Sequence, residues 1–121
     1  MGHLHQIEIR RLRVTCHIGV PDEERALPQH LLVTVRATVS ASFHQLEDQI
    51  GRTLDYAELA TSIQDLASCR PRHLVETLAA DIAGLTLCHD IVTSVEVTVE
   101  KHILPDTECV AVHLRRDRGI V

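Results

Sequence analysis

Two stretches near the N-terminus alternate apolar and polar residues with a period of two, the pattern of half-buried strands. Ile7, Ile9, Leu12 and Val14 mark the first, and their change of phase near Arg10-Arg11 predicts a bulge. Leu31, Val33, Val35, Ala37 and Val39 mark one face of the second, with Thr34, Arg36 and Thr38 on the other. The stretch between them, Cys16 to Gln29, is punctuated by Gly19, Pro21 and Pro28 and predicts a loop. The period then lengthens. Asp55-Tyr-Ala-Glu58 has the spacing of a capping box, so a helix should begin near Tyr56, with Leu59, Ile63, Leu66 and Ala67 as its apolar stripe. Arg70-Pro71-Arg72 breaks it, and a second helix is predicted from about His73 to Leu87 with Leu74, Leu78, Ile82 and Leu85 facing inward. A third strand from Val92 to Lys101, a turn at Pro105-Asp106 and a last strand from about Cys109 to Arg115 follow, and the tail from Arg116 is expected to fray.

The order β-β-α-α-β-β predicts an α+β fold, one four-stranded antiparallel sheet with both helices on one face. With 121 residues, 45% of them hydrophobic, and no repeat, linker or low-complexity tract, residues 1–121 are expected to form one domain. The charge balance is acidic, 17 Asp+Glu against 12 Lys+Arg, and the aromatics are Tyr56 and Phe43 alone. Nucleic acid is disfavoured twice over, because it needs a basic face and a stacking platform. The opening MGHLHQIEIRR lacks the apolar run of a signal peptide and no segment is long enough to span a bilayer, so a cytoplasmic protein is expected. Cysteines 16, 69, 88 and 109 form no CxxC and read as reduced, mostly buried side chains.

One residue breaks the valine pattern. Val95, Val97 and Val99 share a face, and the next place on it belongs to Lys101, the only lysine against eleven arginines. A strand-end lysine can lay its methylenes on apolar neighbours and keep its head wet. A partly desolvated lysine can also exchange a proton near neutral pH, which arginine cannot do. Tyr56, the sole tyrosine, is either a packing residue at the rim or a phenol aimed into a cleft. Glu76 suits a helix N-terminus through the dipole. It also shares a helix side with Ala79, Ala80 and Ala83, small neighbours that leave room for a flat ligand gripped by the carboxylate. Glu24, in Asp22-Glu23-Glu24-Arg25, reads as solvated loop or as a site residue. His3-Leu-His5 mimics a metal pair without a third ligand, so neither a metal nor another cofactor is expected. No phosphate loop, nucleophile elbow or cysteine-histidine pair is readable.

Ile18-Gly-Val-Pro-Asp-Glu-Glu-Arg25 with Pro28-Gln29, then Thr53-Leu-Asp-Tyr-Ala-Glu-Leu59, His73-Leu-Val-Glu-Thr-Leu-Ala79 and Val97-Thr-Val-Glu-Lys101 together resemble the dihydroneopterin aldolase family, over about residues 7 to 116. Each motif alone is weak; four in register are specific. The resemblance implies the tunnelling fold, subunit sheets joined edge to edge into a tetrameric ring, commonly two rings stacked as an octamer, and active sites between subunits. It implies that Glu76 anchors the pterin edge with the backbone around Val75, that Tyr56 and the backbone of Leu54 come from a neighbouring subunit, that Glu24 lies near the substrate side chain and the catalytic lysine, and that Lys101 is the catalytic general acid/base.

The implied reaction is metal-free retro-aldol cleavage of 7,8-dihydroneopterin to glycolaldehyde and 6-hydroxymethyl-7,8-dihydropterin, a folate precursor, with epimerisation at the 2′ carbon as a side activity. This chain departs from the family where His102 follows Lys101 in place of a frequent proline. A related epimerase acting on dihydroneopterin or its triphosphate shares most of the motifs, and a non-catalytic pterin-binding ring is a third alternative. The zinc-binding branch of the fold needs a histidine set that this sequence does not supply.

Overall fold

A computed structural model describes residues 4–119. Its elements run β1 (His5–Cys16), a short α1 (Asp22–Arg25), β2 (Gln29–Val39), α2 (Tyr56–Ser68), α3 (Val75–Leu87), β3 (Val92–Lys101) and β4 (Val110–Asp117), with two 3-10 turns at Phe43–Leu46 and Ile50–Arg52. The four strands pair antiparallel in the order β1-β2-β3-β4, with α2 against β1 and α3 against β3 and β4. This is the predicted α+β architecture with one addition. The predicted loop between the first two strands winds into the single turn α1.

The sheet is two-faced. Leu31, Val33, Val35, Ala37 and Val39 of β2 and Val92, Val95, Val97 and Val99 of β3 are buried beneath the helices with Leu59, Ile63, Leu78 and Ile82. On the open face, Glu8 meets Arg10 and Arg36, and Arg36 reaches Glu96 at 3.5 Å, giving the solvated side usual for an antiparallel sheet. The Arg10 guanidinium, hydrogen-bonded to Glu8 with help from Arg36, holds that carboxyl below its ordinary range.

The bulge is where the phase change predicts it. Pairing slips between Ile9 and Leu12, and Arg11 adopts φ 55° while its N–H donates to Thr34 Oγ1 at 3.0 Å. Without that extra residue, Leu12, Val14 and Cys16 would face water, because a one-residue slip turns every side chain over.

Helix α2 starts at Tyr56, and the Asp55 carboxylate accepts from the Glu58 N–H at 3.1 Å, one half of the predicted box. Helix α3 begins at Val75, two residues later than predicted, so Leu74 is its N-cap and is 46% exposed rather than inward. Ala79 and Ala83 are buried and only Ala80 is exposed. Ala79 and Ala83 bring α3 close to the sheet, which leaves Ala80 as the small residue beside Glu76 on the outer side.

Two further expectations are corrected. The tail does not fray at Arg116: β4 continues to Asp117, and Arg118 donates to the carbonyls of Val92, Leu87 and His89. Leu87 ends α3, His89 lies in the turn after it and Val92 opens β3, so Arg118 ties the tail to that connection. Only Cys16 is buried among the four free cysteines, because Cys69 and Cys88 are the exposed C-caps of α2 and α3. No helix among the described residues is long and apolar enough to cross a membrane.

The link between the helices holds the least expected side chain. Arg72, 3% exposed, donates through Nε to Asp81 of α3 at 2.9 Å and through its two terminal nitrogens to the Leu66, Ala67 and Arg70 carbonyls at 3.2–3.3 Å. It thereby satisfies the C-terminal carbonyls of α2 and ties α2 to α3. Removing one side of a buried, fully bonded charge network is costly. Arg72→Met should lower the unfolding free energy by about 2–4 kcal/mol in urea titrations. Arg70→Met, which removes an exposed partner of the same carboxylate, should change it by less than about 1 kcal/mol.

Candidate active site

Lys101 ends β3 on the valine side of the sheet, and its position is covered by the segment that follows β1. Its Nζ donates to Glu24 Oε2 at 3.0 Å, and the side chains of the pair are 12% and 23% exposed. The ammonium is therefore neither a wet strand end nor an unpaired buried charge. It is a mostly covered amine with one carboxylate acceptor.

The segment carrying Glu24 has little slack. Gly19 N–H donates to the Arg72 carbonyl at 3.1 Å and Arg72 N–H to the His17 carbonyl at 3.0 Å, around a parallel bridge between Ile18 and Arg72. Arg25 sends its guanidinium back to the carbonyls of Gly19 and Val20 at 2.8 and 3.1 Å and to the Asp22 carboxylate. Gln29 donates to the carbonyls of Ile18 and Glu24. The turn also demands a glycine. Gly19 has φ 148°, and a β-carbon there would overlap the Glu24 carboxylate.

The same bridge brings a second carboxylate to this end of the molecule. Three residues after Arg72, α3 begins, with Glu76 in its first turn. Because α3 leads through a short turn into β3, the start of α3 and the end of β3 lie at the same end of the sheet. Glu76 is exposed and Val75 is half-buried. Glu24, Lys101, Val75 and Glu76 thus share one end of one chain, although Glu24 and Lys101 alone are in contact.

Tyr56 and Leu54 are elsewhere. The Arg72 side chain marks the C-terminal end of α2, so Tyr56, the first residue of that 13-residue helix, lies at its far end, about 20 Å away. Tyr56 is 62% exposed and Leu54 is buried at 2%. Within one chain the phenol does not reach the amine.

Cys16 lies within electrostatic reach of Lys101 and Arg72, but burial pushes its thiol above the ordinary range against their opposing pull. It remains a neutral packing group, not a nucleophile. His5 packs edge-on against Phe43 at 4.6 Å, and His3 lies outside the described residues. Among the described residues no group of three or more His, Cys, Asp or Glu is placed to hold a metal.

Sequence reasoning missed the supports. Arg72 looks like part of a helix breaker, and Arg25 and Gln29 are only motif letters until their acceptors are visible. An arginine next to Pro71 between two helices, with an aspartate on the second, is the one signal that was available. Because Lys101 is the only lysine, its reactivity can be read alone by peptide mass after limited acylation. Glu24→Gln, which withdraws the charged acceptor, should speed acylation at Lys101 several-fold with the fold unchanged by circular dichroism. An unchanged rate would mean the pair does not form in solution.

The chain is similar to known proteins over most of its length. The family model described as FolB, dihydroneopterin aldolase, matches residues 7–115. A dihydroneopterin aldolase of Streptomyces coelicolor is 32% identical over 104 residues, 86% of this chain and 87% of the relative. One from Bacillus subtilis is 39% identical over 69 residues, 57% of this chain and 58% of the relative. The crystal structure of a Vibrio cholerae protein described as a dihydroneopterin aldolase superposes with TM-score 0.88 at 23% identity, covering 96% of this chain and 99% of that one, which bears on the fold alone. A Burkholderia dihydroneopterin aldolase bound to guanine superposes with TM-score 0.78 at 27% identity, covering 96% of this chain and 93% of that one. With its β-β-α-α-β-β order, its four motifs in register and a model match across nearly its whole length, this chain belongs to the dihydroneopterin aldolase family.

Proposed function

We propose that this chain is a cytoplasmic 7,8-dihydroneopterin aldolase that uses Lys101 as general acid/base and needs no metal. The Lys101–Glu24 pair carries the reading: a covered amine with one carboxylate partner, in a chain that otherwise uses arginine for positive charge. In the retro-aldol step the 2′-hydroxyl loses its proton and the bond between the first and second side-chain carbons breaks. Glycolaldehyde leaves, and the electron pair passes into the C6=N5 imine of the pterin. The carbon left attached to C6 is then reprotonated. Because the ring is its own electron sink, no Schiff base is required. Lys101 moves the protons, Glu24 holds its ammonium in place, and each such general acid/base role is typically worth about 10²–10⁴-fold.

The remaining roles follow. Glu76 accepts the two parallel N–H donors of the pterin's guanidine-like edge, assisted by the backbone at Val75. Tyr56 and the backbone of Leu54 complete the pocket from a neighbouring copy. Three observations support a shared site: the length of α2 that separates Tyr56 from Glu76, the exposure of Tyr56, and the two edge strands β1 and β4, whose free ladders suit edge-to-edge pairing in a tetrameric ring, doubled to an octamer. Residues 1–121 form the single domain of each subunit.

The phosphorylated alternative is less well served. A triphosphate calls for several free cations, yet Arg25, the arginine of the Glu24 segment, is committed to Gly19, Val20 and Asp22. Free dihydroneopterin is the better substrate for this site, with 2′ epimerisation as a side reaction of the same intermediate.

Purified protein given 7,8-dihydroneopterin and a chelator should release glycolaldehyde and 6-hydroxymethyl-7,8-dihydropterin; absence of both products from the wild type would end the aldolase reading. Lys101→Arg should lose at least about 10²-fold in kcat while still binding product, because it keeps the charge and loses proton exchange. Glu76→Ala should weaken pterin binding at least about tenfold in a fluorescence titration with the thermal midpoint preserved. Equal affinity would refute the anchor.

A further inference from the structure

A cleft of about 460 Å³ opens between the last turn of α2, the outward side of α3 and the end of β4, and neither Lys101 nor Glu24 lines it. Its charge is out of keeping with an acidic chain. Arg70, Arg72 and Arg116 line it with one carboxylate, Asp81, while the chain as a whole carries a net charge of −5. Both link arginines share one oxygen of that carboxylate: Arg70 Nη2 and Arg72 Nε donate to Asp81 Oδ2 at 2.8 and 2.9 Å. Arg72 is engaged by Asp81 and three backbone carbonyls, but Arg70 is 53% exposed and uses one donor.

Arg116 is the unexpected member. It pairs with Val95 and so follows Val112 and Leu114 on the helix side of β4, a guanidinium on an otherwise apolar stripe. It takes part in no ion pair or side-chain hydrogen bond with the described residues. It crosses α3 at Gly84, where an added β-carbon would sit 3.7 Å from Nη1. The glycine lets a cation from the sheet edge reach the same cleft as a cation from the helix link. Half-buried Leu66 and Leu85 give the cleft an apolar floor, which strengthens charge interactions above it.

We propose that this cleft is a binding site for a small phosphate-class polyanion, clasped between the Arg70 and Arg116 guanidinium groups with the Arg72–Asp81 pair behind it. Arginine forks match the geometry of phosphate oxygens two at a time, and a dianion compensates the two charges that Asp81 leaves unmatched. The volume falls within the range of small-molecule sites, so a pyrophosphate or phosphate ester fits better than inorganic phosphate alone. The site is separate from the proposed pterin pocket and does not depend on the aldolase reading.

Isothermal titration with inorganic phosphate and with pyrophosphate, at low ionic strength, tests it. The wild type should show one saturable site per chain, tighter for pyrophosphate. Arg116→Gln should weaken it at least about tenfold, since one of two clasping forks is lost. Gly84→Leu keeps every arginine and raises helix propensity, so it should fold at least as well while abolishing binding by filling the cleft. Lys101→Arg should leave the affinity unchanged. The site is refuted by no saturable heat with either anion up to the millimolar range, by Arg116→Gln or Gly84→Leu binding as the wild type does, or by an effect of Lys101→Arg, which would place the anion at the Lys101–Glu24 pair.

Discussion

Arg72 is the point at which the structure is joined. A buried guanidinium costs several kcal/mol to desolvate unless its donors find acceptors, and here Asp81, two carbonyls of the last turn of α2 and the Arg70 carbonyl of the link accept from it. Those acceptors fix the two helices against each other. Its main chain, through Ile18 and Gly19, fixes the segment carrying Glu24 to the segment leading into Glu76. One residue therefore relates the helical layer, the carboxylate beside Lys101 and the carboxylate on α3.

The sheet supplies the other half of the geometry. The bulge at Arg11 keeps β1 in phase on both sides of the kink, so the apolar face is continuous from Ile7 to Cys16. On β3 the valine stripe delivers Lys101 to the core side at the strand's last position, where Glu24 meets it. The oddity of a lysine in line with three valines is thus resolved by a carboxylate about eighty positions earlier in the chain, held there by hydrogen bonds to its own backbone surroundings.

Much of this was legible in the sequence. Period-two valines, a phase slip and a capping aspartate are local signals, and they placed four strands and two helices close to their observed bounds. Lys101 stood out by composition and Glu24 by a motif whose resemblance already set it near the lysine, and the fold puts the two in contact. What stayed hidden was long-range. Whether Leu74 faces in or caps a helix depends on where Arg72 anchors the link, and whether Ala79 faces ligand or sheet depends on the roll of α3. The order in the tail depends on carbonyls of the connection from α3 to β3, which no local pattern announces. Tyr56 was read as a site residue, and its distance from Lys101 follows only from the direction in which α2 runs.

The two flanks of Lys101 are tethered very differently. On one side, residues 17–29 are stitched to Arg72 and to one another through Gly19, Arg25 and Gln29. On the other, the hydrogen bonds described within residues 102–108 are the two that Thr107 makes to the Leu104 carbonyl. The span carrying His102, Ile103 and Leu104 is therefore the side of the amine whose shape the chain's own hydrogen bonds constrain least.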